Sequence, residues 1–178
     1  MVRFDTIIRG GTVVTATDRT RCDIGIRDGR IVALGEDLGA AQTVIDATGR
    51  FVLPGGVDAH VHIAQPQGEG ITMADDFESA TRSAALGGTT MVLPFAMQEG
   101  SRPMRETLKD YHRKAEGECY VDVSFHMIIA DPTDHLLGQE LPALVEDGYT
   151  SFKIFMTYDG LALNDRQILD VMAVARET

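Results

Sequence analysis

The sequence predicts an α/β chain in two parts. A small antiparallel β segment, all or part of a sandwich, occupies residues 1–54, and the first half of a (β/α)8 barrel occupies 55–178. Three observations carry this prediction. Short β-branched runs broken by Gly-Gly and Asp-Gly fill the N-terminal part; strand and helix patterns alternate after Pro54-Gly55-Gly56; and the later strands begin at steps of roughly thirty residues, the length of a βαβ unit.

The first part contains Thr6-Ile7-Ile8, Thr12-Val13-Val14-Thr15, Asp23-Ile24-Gly25-Ile26 and Arg30-Ile31-Val32-Ala33-Leu34, punctuated by Gly10-Gly11 and Asp28-Gly29. Asp-Gly between alternating apolar residues is a hairpin signal. Thr43-Val44-Ile45 and Arg50-Phe51-Val52-Leu53 form a further pair around Thr48-Gly49.

In the second part strands begin near Val57, Thr90, Val121 and Ser151. Thr72 is positioned to cap a first helix, with Asp75 and Asp76 in its opening turn, Phe77, Ala80 and Ala84 on its apolar face and a stop at Gly87-Gly88. Ser101 and Pro103 open a second helix carrying Met104, Leu108 and Tyr111 to near Gly117. A third runs from about Asp134 to Gly148 through Leu137, Leu141 and Leu144, with Pro142 as its weak point. Asn164 caps a fourth, whose stripe is Ile168, Leu169, Met172 and Ala175.

A flavodoxin-like open sheet suits the length of 178 residues, but no Gly-rich phosphate loop is present. Paired histidines near the C-terminal end of the first strand and a lysine in the fourth favour the barrel, whose strand ends open on one mouth. Four βα units are half of such a barrel, so the chain reads as incomplete.

Composition narrows the function classes. A hydrophobic content of 44% supports a sizeable core, and a net charge of −11 argues against nucleic acid as a partner. Cys22 and Cys119 are far apart and outside any CxxC, so neither a disulfide framework nor a thiolate metal site is expected. The N-terminus lacks a signal-peptide h-region and the chain lacks an apolar membrane span, which predicts a cytoplasmic protein without a membrane partner.

The chemistry centres on His60-Val61-His62. A strand's period of two puts both imidazoles on one face, where they can grip one metal ion. Asp58 shares their parity and reads either as a partner orienting the site or as a satisfied polar residue. Lys153 lies among Phe152, Ile154, Phe155 and Met156. Such an apolar setting favours the free amine, which can add carbon dioxide to give a carbamate able to bridge two metal ions. Tyr158, past the strand end, can donate to an oxyanion or serve as a packing aromatic.

These residues also carry a family resemblance. Pro54-Gly55-Gly56-Val57-Asp58-Ala59-His60-Val61-His62, Asp75-Asp76-Phe77-Glu78-Ser79, Gly87-Gly88-Thr89-Thr90 and Ser151-Phe152-Lys153-Ile154-Phe155-Met156-Thr157-Tyr158 resemble the dihydropyrimidinases and hydantoinases of the amidohydrolase superfamily. Gly10-Gly11-Thr12-Val13 and Asp28-Gly29-Arg30-Ile31 are similar to theirs as well, so the likeness spans nearly the whole chain in order. The resemblance implies a hydrolase with two divalent ions, zinc by expectation, in which His60 and His62 hold the more buried one. Lys153, as N6-carboxylysine, would bridge both ions, and Tyr158 would contact the substrate and stabilise its oxyanion. A metal-bridging hydroxide opens cyclic amides, dihydropyrimidines or hydantoins, to N-carbamoyl amino acids in that family. Ile63, Leu93, Phe95 and Phe155 are the corresponding apolar pocket residues, Phe155 as a substrate contact, and homotetramers are usual.

Departures from the family pattern shape the expectation. The family's two further histidine ligands and its aspartate lie on later barrel strands, and His112 on a helix, His126 in a strand and His135 near a helix start are poor substitutes. Pro94 stands where many relatives carry an acidic residue. The chain is therefore expected to be inactive alone. Dihydroorotases resemble HxHxR, whose arginine position here is Ala64. The same residues also suit an allantoinase- or dihydroorotase-like cyclic amidohydrolase, or a non-catalytic dihydropyrimidinase-related scaffold.

Overall fold

The computed structural model describes residues 4–178, which form two compact units that divide between Pro54 and Gly55.

The first unit holds seven strands among its described residues: β1 (Phe4–Arg9), β2 (Thr12–Val14), β3 (Arg19–Arg21), β4 (Asp23–Arg27), β5 (Arg30–Gly35), β6 (Ala41–Asp46) and β7 (Phe51–Val52). They make two sheets, β5-β4-β1-β6 and β3-β2-β7. Antiparallel pairing holds for β1 with β4, β4 with β5 and β2 with β3. The β4–β5 hairpin turns at Asp28 (φ 51°) and Gly29 (φ 69°), two consecutive left-handed residues whose twist matches that of the flanking strands. Two strands depart from the expectation. β6 joins β1 in parallel and β7 joins β2 in parallel, so the segments around Thr48-Gly49 enter different sheets instead of pairing with each other. The β6-to-β7 connection thereby runs alongside the β1-to-β2 connection, and the Ala47 amide donates to the Arg9 carbonyl at 2.8 Å.

Asp23 is the buried charge of this unit. The Gly10 amide donates to its carboxylate at 2.9 Å and Arg9 Nε at 3.4 Å. The Gly10 hydrogen bond is the main cause that holds this carboxyl below its ordinary value of 3.8; burial opposes it, and the Leu38 amide and Arg9 reinforce it.

The second unit alternates strand and helix: β8 (Gly56–Val61), α1 (Phe77–Leu86), β9 (Thr89–Met97), α2 (Met104–Ala115), β10 (Asp122–Val123), β11 (His126–Ile128), a π-helical turn (Leu136–Glu140) running into α3 (Leu141–Glu146), β12 (Phe152–Lys153) and α4 (Asp165–Glu177). β9 pairs in parallel with β8 on one side and with β10 and β11 on the other, and β11 pairs in parallel with β12. Successive βα units thus sit side by side in chain order, as consecutive barrel strands do. A flavodoxin-like sheet would interpose the first strand between the second and third.

Alternation divides this sheet into two faces. Val92, Ala96, Met127 and Ile129 face the helices and join Phe77, Met104, Leu108, Tyr111, Phe125, Leu136, Leu141 and Leu144 in one core. Phe95, of opposite parity to Val92 and Ala96, belongs to the other face. Between Asp58 and Val61 the register of β8 against β9 shifts, because two β8 residues oppose Leu93 alone where Pro94 has no N–H to give the ladder.

Helix starts differ from expectation in ways the side chains explain. α1 begins at Phe77, because the Asp76 carboxylate accepts from the Ser79 amide and Ser79 Oγ accepts from the Asp76 amide, a closed capping box four residues beyond Thr72. Ser101 gives its hydroxyl to Asp131 instead of capping α2, which starts at Met104 without a side-chain cap. Pro142 cannot donate to the carbonyl four residues back; the chain widens into the π turn there, the Leu141 amide donating to the Leu136 carbonyl. Asn164 caps α4 as predicted, in a capping box completed by Gln167, but the buried side is Val171 flanked by Ile168 and Val174, leaving Leu169 and Met172 exposed.

Leu144→Ala, which empties a side chain at 1% exposure, is expected to cost about 2–5 kcal/mol in urea denaturation. Asp23 has a folded pKa below its unfolded one, so its stabilisation is full above the unfolded value of 3.8 and is lost as pH falls through the folded pKa. Asp23→Asn should lower stability at neutral pH and flatten its decline in acid, read from urea midpoints across that range.

Candidate active site

Phe95, at 4% exposure, is the floor of the site. Four basic side chains gather on its ring: His60 with centroids 4.8 Å apart, His62 at 5.1 Å, His126 at 5.0 Å, and Lys153 Nζ at 5.0 Å from the centroid. They come from β8 and its end, from the start of β11, and from β12. Three of the sequence-predicted residues, His60, His62 and Lys153, are thereby brought together.

The His60 and His62 rings lie edge to face at 5.5 Å, so the pair keeps a common face beyond the bulge. Nδ1 of His62 is bonded to Gln65 Oε1. An amide oxygen can only accept, so Nδ1 carries a proton, which leaves Nε2 as the nitrogen through which the ring could ligate. Gln65 has no motif to mark it in the sequence, where only its place three residues after His62 hints at such a partner. Asp58 accepts from the His60 backbone amide at 3.1 Å. Its carboxylate therefore fixes strand backbone and not a ring, and the bulge breaks the shared parity expected for it.

Lys153 is half-buried, its ammonium between Phe95 and Phe155, 5.2 Å from the latter's centroid. Phe155 stacks edge to face with Tyr158 at 5.4 Å. The loop carrying Tyr158 is tied back by amides of Leu161 and Ala162 donating to the Tyr158 carbonyl and by Leu163 donating to Phe155. Tyr158 itself is exposed, with φ 75°.

His62, Gln65, Met73, Met97, Phe155 and Tyr158 share the wall of an open cleft of about 900 Å3, to which Glu99 and Asp159 add negative charge. Its lining contains neither arginine nor lysine. Ile63, expected as a pocket residue, is instead buried in the helix-side core, and Met73, Met97 and Leu161 supply apolar wall that sequence reasoning does not single out. His112 bonds to Tyr149 from α2, and His135 flanks the π turn, so neither is part of the Phe95 group.

Among the described residues no three His, Cys, Asp or Glu side chains converge as a metal-binding group. The two imidazoles are suitable nitrogen donors; Lys153, gathered on the same ring, would need an added carboxyl to offer oxygen. No helix of the described residues is long and apolar enough to cross a membrane.

No protein-family model matches the chain. Individual relatives do. A D-hydantoinase of Streptomyces coelicolor is 47% identical over 97% of this chain and 38% of its own length, and one of Geobacillus stearothermophilus is 41% identical over 96% and 36%. A solved D-hydantoinase structure superposes with a TM-score of 0.93 at 40% identity, covering 98% of this chain and 38% of that one. A dihydropyrimidinase from Brevibacillus agri gives 0.91 at 39% identity over 97% and 38%. The chain spans well under half the length of these relatives. Across that span, by sequence and by fold, it is a homologue of the D-hydantoinase and dihydropyrimidinase family.

Proposed function

We propose that this chain supplies part of a site that opens neutral cyclic amides, hydantoins or dihydropyrimidines, to N-carbamoyl amino acids. The convergence of His60, His62 and Lys153 on Phe95, with Tyr158 at the rim of the adjoining cleft, carries the proposal. The similarity to D-hydantoinases supports the reaction class.

His60 and His62 would hold one divalent ion through unprotonated ring nitrogens, and Lys153, as a carbamate, would reach that ion and a second. Zinc bound there would supply Lewis acidity and an acidified water. In carbamate formation the free Lys153 amine attacks carbon dioxide, an N–C bond forms, one amine proton leaves to solvent, and the group becomes anionic. An anion at this position also offsets the cluster of basic side chains around Phe95.

The Tyr158 phenol would donate to the carbonyl oxygen as the attacked carbon becomes tetrahedral. Water's oxygen ends on that carbon, the ring C–N bond breaks, and the nitrogen takes a proton, leaving a carboxylate and a ureido group. Met73, Met97 and Phe155 would receive the ring substituent. The cleft lacks a guanidinium for a bidentate carboxylate contact and has Ala64 after the histidine pair, which favours a neutral ring over a dihydroorotate-like acid. The donors missing from a binuclear set would come from the part of its relatives' length that this chain does not span.

Two measurements test this reading. The 178-residue chain given zinc and carbon-13 bicarbonate should show a carbamate carbon resonance that Lys153→Arg abolishes; its absence from the parent chain overturns the carbamate. Supplied with dihydrouracil or hydantoin, the same chain should give no turnover, and ring opening well above the uncatalysed rate would refute the division of the site.

A further inference from the structure

We infer that His126 is a positioning residue of this site, an imidazole that bridges the strand bearing His60 and His62 to the strand bearing Lys153. The inference rests on the reading of those residues given above. Nε2 of His126 lies 2.8 Å from the Ala59 carbonyl oxygen, and Nδ1 meets Ser151 Oγ. A carbonyl can only accept, so Nε2 carries a proton and donates to Ala59, while the Ser151 hydroxyl, able to donate or accept, serves Nδ1. Ala59 immediately precedes His60, and Ser151 lies two residues before Lys153. One ring thus ties the backbone carbonyl beside His60 to the Ser151 side chain two residues before Lys153.

The sheet's own ladder does not make this link. β8 and β11 flank β9 on opposite sides, and on a flat sheet they would run about 9–10 Å apart. His126 reaches across β9 above Phe95, to which it pairs in register and on which its ring stacks at 30°. The bridge therefore holds the sheet's inner face concave at the point where His60, His62 and Lys153 must converge. It also holds β8 at its bulge, where ladder pairing lapses between Asp58 and Val61. Met127, the next residue, faces the helices and is fully buried, so a substitution there perturbs the same strand without touching the bridge.

The test compares the parent chain with His126→Phe, which keeps a stacked ring and loses both hydrogen bonds, His126→Gln, whose amide can restore the donor to Ala59, and Met127→Ala. Zinc affinity is read by competition with a chromophoric chelator, and strand integrity by amide hydrogen exchange at 57–62 and 151–154. His126→Phe is expected to weaken zinc about 10–100-fold and to lose protection in both segments, His126→Gln to recover much of each, and Met127→Ala to lose stability with zinc affinity unchanged. Parent-like zinc affinity in His126→Phe, or an equal loss in Met127→Ala, overturns the positioning role. If the parent chain binds no zinc, the metal reading falls, and exchange alone decides: protection lost at both segments in His126→Phe and regained in His126→Gln upholds the bridge, and unchanged protection refutes it.

Discussion

The packing of four basic side chains on the single ring of Phe95 is the constraint around which the second unit is organised. Three imidazoles and an ammonium within about 5 Å of one ring centroid would repel one another if all were charged. No carboxylate contacts any of the four side chains among the described residues' ion pairs, whose members lie elsewhere. The aromatic face offsets part of the cost through its quadrupole, best for Lys153, which lies between two rings. Hydrogen bonds from His62 to Gln65 and from His126 to Ala59 fix which ring nitrogen carries a proton in each.

That face exists because the sheet has a second one. Val92, Ala96, Met127 and Ile129 consume the apolar surface of α1, α2 and α3, and the period of two then leaves Phe95, His126 and Lys153 on the opposite side. Burial on the helix side fixes strand register, since a one-residue slip would exchange the two sets. Core packing and site geometry are therefore one constraint, met twice by each strand.

Legibility from sequence follows the range of the interactions. Periodicity locates every βα unit, because strand runs and helical stripes are local. The capping box at Asp76 is hidden behind Thr72, as both residues are competent acceptors and only the Ser79 hydroxyl decides between them. The parallel pairing of β6 and β7 is invisible, because it depends on partners some forty residues earlier, Phe4–Arg9 and Thr12–Val14. In the site, the two-residue spacing marks His60 and His62, and the apolar run around Lys153 marks the lysine. His126 reads from sequence only as a poor substitute ligand, since its two partners, Ala59 and Ser151, contribute a backbone carbonyl and a common hydroxyl that carry no motif.

Tyr158 shows how a site residue can be found by type while its backbone is not. Its φ of 75° belongs to a region that costs a non-glycine residue about 1–3 kcal/mol. Gly160 at φ 80° follows, so the chain reverses within three residues, and the Leu161 and Ala162 amides close the turn on the Tyr158 carbonyl. The reversal is anchored outside itself: Leu163, buried, donates to the Phe155 carbonyl, and Phe155 bridges to Ala162. Packing at Leu163 thus sustains strain at Tyr158, and the strained residue is the one whose phenol reaches the cleft. A glycine there would relieve the backbone but remove the phenol, the group proposed above as the oxyanion donor.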